Sequence, residues 1–195
     1  MPMNYLQVAE EAAREAGALL RQHFGRDKSV DEATRHDIKL ALDRESQELI
    51  TRVLLEAFPE HAILGEEGLA GNQDSEFQWI VDPIDGTVNN MYNIPHFCVS
   101  IALRQKDQTL LGLVYDPMLD ELWTVEGHEP ALLNGSPIQT SERRTLEESI
   151  VFIGFGKDET SVQTGLPRFQ RAASRVRKLR MMGSAALGMA YVATG

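Results

Sequence analysis

The sequence predicts a mixed α+β chain, or a layered α/β sandwich, and three features of its order carry that expectation. Helical periodicity opens the chain, a run of mostly antiparallel strand patterns fills its middle, and helical patterns return near its end. Within 77–126 the prolines Pro83, Pro95 and Pro117 fall between the strand candidates, which makes those strands the central sheet.

The elements follow in order. Residues 5–25 place Val8, Ala12, Ala16, Leu19, Leu20 and Phe24 at helical spacing, and Gly25 offers a stop. The polar segment 27–37 reads as loop or an irregular extended run. Residues 43–58 form a second helix with Leu49, Ile50, Val53, Leu54 and Ala57 on one face; Asp43 is placed to cap its start and Pro59 ends it. A short strand is expected over 61–65. Glu66-Glu67-Gly68 follows, and a loop with Gly71 and Asn72 runs to Asp74. The apolar strand 77–81 leads directly into Asp82. Further strands are expected over 97–104, 109–115 and 121–126, joined by turns at Lys106-Asp107-Gln108 and Asp116-Pro117. Asn134-Gly135-Ser136 matches a glycosylation acceptor but is read as a turn. Residues 149–155 give one more strand, and 160–178 and 184–193 two more helices. No internal repeat or low-complexity tract is evident.

With 195 residues, 43% hydrophobic and 25% charged, the chain has an ordinary globular balance and enough length for a sizeable core in one large domain. The net charge of -10 argues against a general nucleic-acid-binding surface, because phosphate backbones demand a positive field. An acidic chain still binds phosphate where a divalent cation stands between them. The single cysteine, Cys98, excludes an intrachain disulfide and reads as a small core side chain in a buried strand. The start, Met1-Pro2-Met3-Asn4-Tyr5, lacks a basic n-region or long apolar run, so no signal peptide or membrane span is expected and the cytoplasm is the expected compartment.

The chemistry gathers at Asp82-Pro83-Ile84-Asp85-Gly86-Thr87. Two carboxylates separated by a stiff proline turn project into one volume at a strand's end. Unpaired, they repel and raise at least one pKa. A hard divalent cation relieves that repulsion; magnesium is the natural choice, with manganese next. If a helix starts at Gly86 and Thr87, its free N–H groups form a phosphate site, and Thr87 adds a hydroxyl. Taken alone, the segment also reads as a polar turn, and Glu66-Glu67 as a solvated loop. Together, two strands deliver carboxylates at their C-terminal ends, as a metal-assisted phosphoryl site requires.

These residues resemble the inositol monophosphatase family. The features are Gly65-Glu66-Glu67, the run Trp79-Ile80-Val81-Asp82-Pro83-Ile84-Asp85-Gly86-Thr87, Asn89, Pro95-His96-Phe97 and Val99-Ser100-Ile101. Tyr115-Asp116-Pro117, Leu133-Asn134-Gly135, Gly183-Ser184-Ala185-Ala186 and Tyr191-Val192-Ala193 also fit. The resemblance implies a sugar-phosphatase-like αβαβα sandwich and a metal-dependent, lithium-sensitive phosphatase using two or three magnesium ions. Glu66, Asp82 and the Ile84 carbonyl would hold one ion, Asp82 and Asp85 the second. Thr87 would orient and help deprotonate the attacking water, with Asp43 as its carboxylate partner. Gly86 and Thr87 would donate backbone N–H groups to phosphate, and Gly183, Ser184 and Ala185 would line the substrate's alcohol portion. No role is assigned to Glu67, and His96 is read as structural.

The implied substrate is inositol monophosphate or a related small polyol phosphate. The alternatives are a 3'(2'),5'-bisphosphate nucleotidase or sugar-bisphosphatase on the same scaffold, and an impaired phosphatase-like binding protein. A homodimer is implied, with no nucleic acid or membrane partner. The pattern departs in two places. Lys39-Leu40 stands where many relatives have Val-Thr, leaving Arg35 or His36 as the preceding basic position. The C-terminal Trp-Asp motif, whose aspartate completes the second ion's shell, has no match, nor has the acidic residue that contacts substrate hydroxyls. Residues 1–195 are therefore expected to form one domain with an incomplete C-terminal layer, as in a truncated product or fragment.

Overall fold

A computed structural model describes residues 4–33, 38–156 and 158–195. Arg35, His36 and Asp37, and the initial Met1-Pro2-Met3, lie outside the described residues. Helix α1 (Tyr5–His23) begins at Asn4, whose side chain accepts from the N–H of Leu6, and ends just before Gly25 at φ 77°. Strands β1 (Val30–Ala33) and β2 (Ile38–Leu40) pair antiparallel in the segment expected to be irregular. Helix α2 (Ala41–Ala57) starts two residues earlier than expected, so Asp43 stands inside its first turn and reaches back to the Leu40 N–H at 2.7 Å. Because Leu40 has no side-chain acceptor, this is the acidic half of a capping box.

Eight strands form the main sheet in the order β10-β9-β8-β7-β6-β5-β3-β4. They are β3 (Ala62–Gly65), β4 (Gly68–Gly71), β5 (Phe77–Asp85), β6 (Cys98–Gln105), β7 (Gln108–Asp116), β8 (Glu121–Glu126), β9 (Leu132–Leu133) and β10 (Ser136–Pro137). Pairing is antiparallel except between β3 and β5, which run parallel and so end on the same side of the sheet. The expected loop after Gly68 is instead the edge strand β4, held by its register against β3 although two of its four residues are glycine. Asn134 and Gly135, at φ 48° and 78°, make the tight turn between β9 and β10, as their dipeptide predicts.

Helices α1 and α2 cover one face of the sheet. Leu20, Ile50, Leu54, Trp79, Ile101, Leu103 and Tyr115 meet there at 0–1% exposure. Fully burying one aliphatic side chain contributes about 1.5–3 kcal/mol, so this interface is the main source of stability. Ala9, Ala12, Ala13 and Ala16, all fully buried, form the contact stripe of α1 and let its backbone approach closely. On the opposite face α5 (Ala185–Thr194) packs through Leu187 and Ala190 on Cys98 and Trp123. Beyond α5, strands β11 (Ile150–Phe152) and β12 (Lys178–Arg180) pair in parallel, Phe152 stacks on Tyr191, and α4 (Glu159–Ala173) lies against β12. The result is the layered αβαβα order. The helix expected over 160–178 ends at Ala173, because residues 178–180 are taken up as the partner strand of β11.

The correction that shapes the site concerns Pro83, which lies inside β5 rather than beyond it. An interior strand accepts proline only where the ladder is broken. Here Asp82 pairs with Ser100 and Asp85 with Cys98, so three steps on β5 face two on β6: one residue is bulged out. Strand side chains alternate with period two, and a one-residue slip exchanges the faces. Without the bulge Asp85 would share the core face of Trp79 and Val81. With it, Ile84 enters the core at 1% exposure and Asp85 joins Asp82 on the other face.

Gly17 offers a test of the α1 contact. A Cβ at this position would collide with ring carbons of buried Tyr115 and sit 3.0 Å from the Pro117 Cβ. Gly→Ala inside a helix gains about 1 kcal/mol of propensity, whereas overpacking loses about 1–3 kcal/mol. Gly17→Ala is expected to lower the urea midpoint; a raised midpoint would show that α1 does not seat this closely.

Candidate active site

The shared strand ends and the bulge open onto one cleft of about 730 Å³. Glu66, Asp82, Ile84, Asp85, Gly86, Thr87, Asn89 and Gly183 are among its lining residues. Glu66 reaches it because its N–H extends the β3–β5 ladder, donating to the Val81 carbonyl at 3.0 Å. The turn that follows is clamped from α2: Gln47 accepts from the Glu67 N–H at 2.8 Å and donates to the Gly68 carbonyl at 3.2 Å. Gly65 leaves room for that clamp, since any Cβ would strike the Gln47 amide. Asp82 steadies the bulge by accepting from the Ile84 N–H at 3.2 Å.

Gly86 turns the chain from β5 into the short helix α3 (Thr87–Met91) with φ 106°, and a Cβ there would press on the His96 carbonyl at 3.0 Å. Thr87 Oγ1 lies 3.0 Å from both Asp43 Oδ1 and the Ile84 carbonyl. A hydroxyl has one proton, so these two acceptors compete for it. Asn89 fastens α3 to the neighbouring segment by donating to the carbonyls of His96 and Met182, both at 2.7 Å. Gly183 faces the same cleft. Ser184 and Ala185 line an adjoining one of about 650 Å³ that shares Asp85, Phe155 and Gly183 with it.

The electrostatics follow from burial without a countercharge. Asp82 is pushed up to about 8, first by burial, then by the charges of Glu66 and Asp85; a hydrogen bond with Glu66 adds to the rise. Asp43 is pushed up to about 6, chiefly by burial, against the hydrogen bonds from Leu40 and Thr87 that favour its charged form. The donors are all hard oxygens, and a divalent cation suits them by replacing the proton that Asp82 otherwise retains. Among the described residues, however, no three His, Cys, Asp or Glu side chains stand gathered as a ready metal cage. Asp82 is engaged with Glu66, and Asp85 is bound by donors at the start of α5.

The structure thus gathers the sequence-expected site residues along this cleft and the adjoining one, with Asp43 reaching the first through Thr87. Asp43 combines the capping and Thr87-bonding roles. Cys98 is buried as expected and also touches the site, 3.7 Å from Asp85 Oδ2. Gln47 was missed. Its signal was a polar residue one turn after Asp43 on the stripe that continues through Ile50 and Leu54. Asn89 carries no role in the motif as read from sequence; in the fold it fastens α3.

Among the described residues no helix is long and apolar enough to cross a membrane. The whole chain, 1–195, matches the model of the Inositol monophosphatase family. It is 38% identical to Inositol monophosphatase 1 of Solanum lycopersicum over 98% of this chain and 72% of that protein. It is 35% identical to Nus factor SuhB of Pasteurella multocida over 97% of this chain and 73% of that protein. The crystal structure of the extragenic suppressor protein suhB from Bartonella henselae superimposes with a TM-score of 0.91 at 33% identity, covering 97% of this chain and 74% of that one.

Both carboxyl shifts are upward, so Asp43 and Asp82 keep protons in the folded chain at pH values where the unfolded chain, at the ordinary 3.8, has lost them. Stability then falls as pH rises. Asp43 contributes to the fall up to about 6 and Asp82 up to about 8, with no further change from either above that. In chelator-treated protein the urea midpoint is expected to decline from pH 4 to 8, and Asp82→Asn to flatten the upper half of the decline. An unchanged slope in that variant would contradict the assignment.

Proposed function

The chain belongs to the inositol monophosphatase family, and we propose that it is a magnesium-dependent phosphomonoesterase that hydrolyses inositol monophosphate or a related small polyol phosphate with an attacking water. The observation that carries this reading is the β5 bulge, which turns Asp82 and Asp85 to one face beside Glu66. In this reading Glu66, Asp82 and the Ile84 carbonyl would hold one cation and Asp82 and Asp85 a second, and cations bound there would neutralise phosphate charge and lower the pKa of a water.

The remaining steps belong to the chain's own groups. With Asp43 charged, the Thr87 hydroxyl gives its proton to the Asp43 hydrogen bond and turns a lone pair toward the cleft. That lone pair accepts a hydrogen bond from the water and orients it, and Asp43 acts as the base through Thr87. The N–H groups of Gly86 and Thr87, at the start of α3 where no intrahelical acceptor exists, hold the phosphoryl oxygens. Gly183 and Ala185 border the space for the alcohol. Attack in line forms one P–O bond as the ester P–O bond breaks, and the alcohol leaves with a proton, releasing inorganic phosphate. The same reading takes the working assembly as a homodimer.

The test is phosphate release from inositol, nucleotide and sugar phosphates, with magnesium and with chelator. Turnover is expected to require magnesium and to vanish in Asp82→Asn. Thr87→Ala and Asp43→Asn should each lower kcat by about 10²–10⁴-fold, with KM little changed. The double variant should lose little more than either single one, since the two groups act as a unit. Metal-independent turnover would overturn the mechanism. A preference for nucleotide or sugar bisphosphates would move the substrate class, and a folded protein without any turnover would make the chain a binding module.

A further inference from the structure

Asp85 is held more completely than a cation ligand alone requires. Its Oδ2 accepts from Ser184 Oγ at 2.6 Å, from the Ala186 N–H at 2.6 Å and from Cys98 Sγ at 3.7 Å. Among the described residues, its Oδ1 accepts only from the Ala185 N–H, at 3.2 Å. Ser184 is also the N-cap of α5, where its Oγ accepts from the Leu187 N–H at 3.3 Å. The hydroxyl has one proton, and with the oxygen accepting from Leu187 that proton goes to Asp85. Ser184 is 6% exposed, and its hydroxyl is engaged by these two contacts.

Rested on the cation reading above, these contacts divide the two oxygens of Asp85. Ser184 and the Ala186 N–H fill the two lone pairs of Oδ2, while Oδ1 retains lone-pair capacity on a side chain that lines both clefts. We propose that Ser184 is a positioning residue: by pinning Oδ2 to the start of α5 it presents Oδ1 as a single-oxygen ligand for a divalent cation, and so ties cation binding to the seating of α5.

Mn²⁺ is the probe, with free ion counted by electron paramagnetic resonance on the full chain well below its melting temperature. Ser184→Ala is expected to weaken binding by about 10–100-fold, the usual effect of removing a partner that orients a ligand. Ser184→Thr, which keeps the hydroxyl, should restore affinity to within about threefold of the parent. Ser184→Gly removes the hydroxyl but remains an acceptable N-cap, and it carries the comparison if the alanine variant does not fold.

The decisive arm is Ser184→Ala in an Asp85→Asn background. A residue acting through Asp85 should add less than about threefold there, whereas a merely structural role adds its full effect. A folded hydroxyl-free variant that binds Mn²⁺ as the parent does, or a full additive loss in the double variant, overturns the proposal alone. A parent chain that binds no Mn²⁺ overturns the cation reading, and this proposal falls with it.

Discussion

A single extra residue in β5 governs the geometry of this molecule. Carboxylates three positions apart on a regular strand lie on opposite faces, one in the core and one in solvent. The bulge at Pro83 changes that parity, and its consequences reach both layers. Ile84 becomes a core residue under α1 and α2, and Asp85 becomes the anchor for the start of α5. Proline suits the position because its missing N–H falls just past the last β3–β5 bond, from Glu66 to Val81.

The acidic cleft stands in tension with the stability of the fold. Burying Asp82 beside Glu66 and Asp85 leaves like charges in a region of weak solvation, which the folded chain relieves by retaining a proton on Asp82. A protein selected for stability alone would place apolar residues there. Functional sites commonly retain such locally unfavourable arrangements because a ligand resolves them. Asp85 accepts hydrogen bonds from Ser184 and from the Ala185 and Ala186 N–H groups at the start of α5, so the fold itself supplies its donors.

Much of the fold was legible in the sequence because it rests on local pattern. Both long N-terminal helices, the strands from 97 to 126 and the Asn134-Gly135 turn follow from periodicity and turn chemistry. The misses share a physical cause in non-local pairing. β4 is glycine-rich and exists through its register with β3, and β12 exists through its register with β11. The acidic residues of the site could be picked out by type and spacing. How Asp82 and Asp85 come to share a face could not, since proline read in isolation signals a strand's end and here marks a bulge. Asp43 and Ser184 entered the site only through family resemblance, and their hydrogen bonds assign them tasks that their letters alone do not.

Helix α2 has a wider consequence. Asp43 and Gln47 stand one turn apart on its buried side, the first bonded to Thr87 and the second to the turn carrying Glu66 and Glu67. One rigid rod therefore sets, like the jaws of a caliper, the gap between the end of β3 and the beginning of α3. A residue inserted between the two would rotate one jaw by about 100° relative to the other. The four-residue interval between Asp43 and Gln47 is thus fixed by the width of the cleft.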